Sequence, residues 1–143
     1  LGYAGRRLDP VQARHFGKWK FPPGLPKREI LYGVHRLPSP WPRGLALVEC
    51  PWGVMRLAQL GIQAVALLGV HLSGTQLELL RRTSAIVLML DGDQAGRSAS
   101  RQIAGTLNSY TAAPVRRIDL PPGLDPDDLN DSELARRLSP LLR

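Results

Sequence analysis

From residue 44 onward, short apolar runs alternate with amphipathic stretches. GLALVE (44–49) predicts a buried strand, and PWGVMRLAQLG (51–61) a helix, with Pro51 suited to its first turn and Gly61 to its stop. AVALL (64–68) predicts a second strand. SGTQLELLRR (73–82) places Ser73 and Gln76 at capping-box spacing, with Leu77 and Leu80 on one helical face. AIVLML (85–90) is continuously apolar, as a strand covered on both faces must be. A helix over 94–107, an alternating edge strand VRRIDL (115–120) and a last helix over 132–142 complete the pattern. Strand and helix alternating four times predict an α/β fold, a parallel sheet of about four strands joined by right-handed crossovers.

The first 43 residues follow no such period. They are dense in proline and mix aromatics with bases, as in HFGKWKF (15–21), and PPGLP (22–26) predicts extended, irregular backbone. REILYGVHRL (28–37) fits a short strand or a short helix equally. The division therefore falls at 1–43, a basic segment from an adjoining subdomain, and 44–143, the α/β domain.

Charge sharpens this division. Residues 1–43 hold nine Lys or Arg against Asp9 and Glu29, whereas residues 44–143 hold ten of each sign. The whole net charge of +7 thus lies in the first third, which points to a polyanionic partner such as nucleic acid. With 43% apolar and 22% charged residues in 143, the chain reads as one globular domain with an appended piece. No stretch approaches the roughly 20 uncharged residues of a membrane span, and no signal-peptide pattern opens it. Beginning at Leu1, it reads as an excised fragment of a longer protein. The single Cys50 excludes an internal disulfide framework and suits a cytoplasmic setting.

In an open parallel sheet, ligands bind beyond the carboxyl ends of the strands. Glu49 closes the first predicted strand, Asp91 and Asp93 follow the third, and Asp125, Asp127 and Asp128 follow the fourth. Carboxylates converging on one rim repel one another unless cations intervene. An all-oxygen donor set with no Cys or His suits Mg²⁺ or Mn²⁺, which bridge phosphate oxygens. In LMLDGDQAGR (88–97), Gly92 provides a sharp turn between the aspartates, and Gly96 lets a helix N-terminus approach phosphate.

The order LVECPWGVMRLAQLG, LLG, VLMLDGDQAGR resembles a TOPRIM domain, the metal-binding fold of topoisomerases and bacterial primases. LPPGLDPDDL (120–129) is similar to the Gly-x-Asp-Pro-Asp segment of DnaG-type primases. GYAGRRL (2–8), KW (18–19) and KREILYG (27–33) resemble basic stretches of the primase core. The resemblance implies metal ligation by Glu49, Asp91, Asp93, Asp125 and Asp127, with Glu49, Asp91 and Asp93 catalytic and Glu49 an acid/base participant. It sets Arg6, Lys18 and Lys27 facing template or nucleotide, and Asp128 where primases often carry another acid. The implied activity is Mg²⁺-dependent synthesis of short RNA primers from nucleoside triphosphates on single-stranded DNA. A replicative helicase would be engaged through regions outside this chain.

Departures accompany the likeness. The usual Glu-Gly-x-x-Asp is Glu49-Cys50-Pro51-Trp52-Gly53 here, so Gly53 removes one carboxylate, and Phe21-Pro22 replaces a polar Asn-Ser pair. Two alternatives stay open: a TOPRIM nuclease cleaving phosphodiesters with metal alone, and a non-catalytic module binding nucleic acid or a partner. His15, His35 and His71 lack ligand spacing and read as surface or structural residues. Cys50 reads as packing rather than a nucleophile. Trp19 and Phe21 suit base stacking and interface packing equally. The arginine pairs 81–82, 116–117 and 136–137 read as solvated faces.

Overall fold

Every apolar run beyond residue 44 becomes a strand, though each is shorter than its run. In the computed structural model, which describes residues 3–138, a two-residue strand β1 (Gly5–Arg6) pairs antiparallel with β2 (Trp19–Lys20) across helix α1 (Pro10–Phe16). There follow β3 (Gly44–Val48), α2 (Pro51–Gln59), β4 (Ala64–Ala66), α3 (Gly74–Leu80), β5 (Ala85–Leu88), α4 (Gln94–Tyr110), β6 (Val115–Arg117) and α5 (Asp131–Leu138). The larger sheet is wholly parallel in the order β4-β3-β5-β6, which makes β6 the edge strand its alternation predicts. Residues 139–142 of the last predicted helix lie outside the described residues.

Successive side chains point to opposite faces of a strand, and here both faces are covered. Leu45, Leu47, Ile86 and Leu88 pack on one side with Leu77 and Leu80 of α3 and Ile103 and Leu107 of α4. Ala46, Val48, Val87 and Met89 pack on the other with Val54 and Leu57 of α2 and Leu134 and Leu138 of α5. The result is three layers, helices on both sides of a sheet. Met89, whose amide still donates to the Leu47 carbonyl of β3, and Leu90 stay buried past the strand and carry the chain to the rim.

Three differences from the sequence pattern have physical causes. Helix α1 was not expected because none of its residues is buried, so no apolar period marks it. Its start is set locally: the Asp9 carboxylate accepts from the Val11 and Gln12 amides, with Pro10 in the first turn. Helix α4 runs three residues beyond the expected 107, through polar positions that face solvent. The 28–37 stretch is neither strand nor α-helix throughout. Tyr32 forms one antiparallel bridge to Ala66 at the sheet edge, and residues 34–36 form a single 3₁₀ turn.

That stretch is fastened to the sheet through buried Gln76. Its Nε2 donates to the carbonyls of Lys27 (2.9 Å), Ile30 (2.8 Å) and Leu67 (3.2 Å). Ser73 caps α3 as its spacing predicts, and its hydroxyl also donates to the Arg28 carbonyl. Leu31 enters the core itself. Among the described residues, no helix is long and apolar enough to cross a membrane.

Candidate metal centre

The rim at the carboxyl ends of the strands is assembled by backbone contacts before any carboxylate is considered. Glu49 follows β3 directly, and its carbonyl accepts from the amides of Leu68 (3.0 Å) and Gly69 (3.3 Å) just past β4. Leu68 takes a left-handed φ of 62° to make this wrap, an uncommon conformation for a leucine. Asp91 and Asp93 flank Gly92 after β5. The Gly92 amide donates to the Leu124 carbonyl (2.8 Å), and the Gly123 amide donates back to Gly92 (3.3 Å). The loop carrying Asp125 is thereby laid across the turn carrying Asp91.

Close backbone packing places a further demand on both glycines. Gly92 does not take a left-handed φ; a Cβ there would strike the carbonyl oxygens of Pro121 and Leu124. At Gly96 a Cβ would strike the Asp91 backbone, so this glycine seats α4 against the end of β5. Arg97, which the sequence reading passed over, donates from its guanidinium to the Gly92 carbonyl and ties the turn to α4. Its signal was position alone, four residues beyond the Asp93 cap.

The carboxylates divide by environment. Asp93 is exposed and caps α4, accepting from the Gly96 amide at 2.7 Å. Asp128 caps the turn at 126–128, accepting from the Asp125 amide at 2.7 Å, a capping-box spacing legible in DPDD. Glu49 Oε2 and Asp91 Oδ1, by contrast, are buried with no hydrogen-bond partner in the protein. Burial, with the charges of Asp93 and Asp125 nearby, pushes Glu49 up to about 7. Burial, then the charges of Glu49, Asp125 and Asp93, pushes Asp91 up to about 8. Asp127 is raised by burial and by its neighbours Asp125 and Asp128, and it lies beside Arg6.

Among the described residues, no three His, Cys, Asp or Glu are gathered around one ion-sized point. The carboxylates share a rim rather than a single position, as mutual repulsion favours. Orphaned buried oxygens in an all-carboxylate donor set nevertheless suit hard divalent cations in chemistry.

The basic segment reaches this rim in part. Lys18 Nζ lies 3.4 Å from Asp125 Oδ2, and the Asp125 charge raises the Lys18 pKa. Arg6 stands beside Lys18 and Asp127, with its guanidinium 5.7 Å from the Trp19 ring and 5.4 Å from the Trp52 ring. The Lys27 ammonium lies 4.7 Å from the Phe21 ring. Trp19 tilts against Trp52 of α2 at 6.4 Å, so it packs the junction of hairpin and domain. His15, His35 and His71 are exposed. Cys50 is buried, and burial pushes its thiol up to about 11, which removes it as a nucleophile. A side chain at Gly53 would meet Val48 at 3.2 Å, so close packing of α2 on β3 takes the place of the missing carboxylate.

Residues 46–130 match the Toprim-like family model. A DNA primase of Rickettsia prowazekii (strain Madrid E) is 40% identical over 134 residues, covering 90% of this chain and 22% of the relative. A DNA primase of Deinococcus radiodurans is 36% identical over 135 residues, 90% of this chain and 23% of the relative. Among solved structures, the fold is similar to the Aquifex aeolicus primase zinc-binding and RNA polymerase domains, with a TM-score of 0.77 and 29% identity over 99% of this chain and 36% of that one. It is also similar to a DnaG primase catalytic domain bound to ssDNA, with a TM-score of 0.75 and 31% identity over 98% of this chain and 46% of that one. The chain spans about a fifth of the length of the curated relatives it matches. It belongs to the Toprim-like family, in the form carried by bacterial DnaG-type primases.

Proposed function

We propose that this chain is the metal-binding part of a primase-type nucleotidyltransferase, which joins nucleoside triphosphates into a short RNA primer on single-stranded DNA. The observation that carries this reading is the pair of buried, unpartnered oxygens, Glu49 Oε2 and Asp91 Oδ1, on one strand-end rim. Glu49, Asp91, Asp93, Asp125 and Asp127 hold Mg²⁺ or Mn²⁺ in this reading. An ion held by these carboxylates would neutralise triphosphate charge and activate an attacking hydroxyl. Glu49, whose Oε2 has no partner in the protein, is also the acid/base participant in this reading. Lys18 and Arg6, beside the carboxylates, face the anionic nucleotide or template, and Lys27 extends that basic face. Residues 1–43 form the end of a preceding subdomain and 44–143 the TOPRIM domain. A helicase partner belongs to regions outside this chain, and the setting is the cytoplasm.

A second reading, a TOPRIM-shaped module that binds without catalysis, is favoured by Gly53, which lacks the expected carboxylate and packs tightly on Val48. Calorimetric Mn²⁺ titration separates the two. Wild-type chain is expected to bind Mn²⁺, and the Asp91→Asn, Asp93→Asn double variant to bind none while folding as well or better. Primer synthesis assayed on the longer protein that carries this segment then tests the reaction. Nicking of DNA with metal and no triphosphate would point to the nuclease instead. No Mn²⁺ binding in either protein, even with a nucleoside triphosphate present, would leave the binding module.

A further inference from the structure

Helix α2 carries an outward face that the core does not use. Its inner face buries Pro51, Gly53, Val54 and Leu57. Trp52 and Met55, one turn apart and therefore neighbours on the surface, are left 40% and 42% exposed. The Arg6 guanidinium lies 5.4 Å from the Trp52 ring and the tilted Trp19 ring 6.4 Å from it, and the residue still keeps 40% exposure. It also stands three residues beyond Glu49 in the chain, in the first turn of α2.

We propose that the exposed indole of Trp52 is a stacking platform for an unpaired nucleobase, with Arg6 beside it placed to meet the adjoining phosphate. The inference rests on the nucleic-acid reading above and adds to it a residue and a contact type. Three features support a base as the occupant. Every base offers a π face to an exposed aromatic, so the contact needs no sequence match. Arg6, Lys18 and Lys20 on the adjoining hairpin supply the positive charge that a phosphate backbone requires. Trp19 and Arg6 fix the indole in orientation, which lowers the ordering cost of stacking on it. A nucleoside triphosphate and a single-stranded template present the same chemistry, and both would reach this face.

The test is fluorescence anisotropy of a dye-labelled oligothymidylate and of an abasic oligomer with the same backbone, on the 143-residue chain at low salt with EDTA. The chelator makes the outcome independent of the metal centre. Wild type is expected to bind the base-bearing oligomer about tenfold more tightly than the abasic one. Trp52→Ala should abolish that preference and leave abasic binding unchanged, and Trp52→Phe should restore most of it. Urea midpoints of the variants guard against misfolding. Competition by thymidine triphosphate with wild type but not Trp52→Ala would assign the platform to the incoming nucleotide; competition by unlabelled oligomer alone would assign it to the template. A base preference that survives Trp52→Ala overturns the platform while sparing the nucleic-acid reading. Failure of wild type to bind either oligomer overturns both.

Discussion

Lys18 and Asp125, 107 residues apart in sequence, meet at 3.4 Å across the junction between the basic segment and the sheet. The lysine side chain is 60% exposed and the aspartate 20%, so the pair is a weak contributor to stability. Its importance is electrostatic: one ammonium sits against a group of carboxylates that lack counter-charge. Lys18→Met is expected to change unfolding free energy by less than about 1 kcal/mol. It should strengthen Mn²⁺ binding, because a competing cation has been removed from the rim. Unchanged or weaker Mn²⁺ affinity by calorimetry would show that Lys18 does not compete for these carboxylates.

Glu49 and Asp91, raised to about 7 and about 8, make the metal-free protein sensitive to pH. Their ordinary values are 4.5 and 3.8, so between those values and the raised ones the folded state binds more protons than the unfolded state. Their contribution to stability is full below about pH 4 and is lost as pH rises through 7 and 8. Urea unfolding in EDTA should therefore show lower stability at pH 8 than at pH 5, with a shallower fall in Glu49→Gln. Added Mg²⁺ should stabilise more at pH 8 than at pH 5. Equal slopes in wild type and Glu49→Gln would remove Glu49 as a source.

Gly92 and Gly105 make an informative pair. Gly92→Ala drives a Cβ into the carbonyls that lay the Asp125 loop over the turn, and should cost at least about 1–3 kcal/mol. Mn²⁺ binding should weaken with it, because Asp125 is displaced. Gly105→Ala, exposed within α4 with nothing within 4 Å of the new Cβ, should stabilise by about 0.5–1 kcal/mol. Denaturant midpoints for both, read beside calorimetry, decide whether loop placement matters to the site.

Restoring a carboxylate at residue 53 is obstructed by Val48, 3.2 Å from the added Cβ. Gly53→Asp alone is expected to destabilise by about 1–3 kcal/mol. Adding Val48→Ala should recover part of that loss, although Val48→Ala by itself is destabilising. Such opposite-sign coupling in a double-mutant cycle is the signature of a direct clash. Additive effects would place the obstruction elsewhere.

Gln76 satisfies three carbonyls at once, two of them in the segment at 27–30. Gln76→Leu removes the donor from one buried and two partly buried carbonyls and should cost about 1–3 kcal/mol. Hydrogen exchange should rise locally at residues 27–33 before the central strands open. Uniform change over the whole sheet would mean that Gln76 serves the core rather than this seam.

The strands, the helices behind them and the carboxylates at the strand ends were legible in the sequence because each depends on local pattern. A buried parallel strand must be apolar throughout, a capped helix announces its start, and acids following apolar runs fall on one rim by topology. Residues with no local signature escaped. Helix α1 buries nothing and so shows no period. Arg97 acts through a single carbonyl, and Gln76 reads as an ordinary capping partner until three carbonyls converge on it. Gly92 looks like a turn residue, yet what requires it is a loop some thirty positions away. Tertiary structure alone separated carboxylates that cap, Asp93 and Asp128, from those left buried and unpartnered, Glu49 and Asp91. Burial and the proximity of distant charges set that difference, and neither is a property of neighbouring residues in the chain.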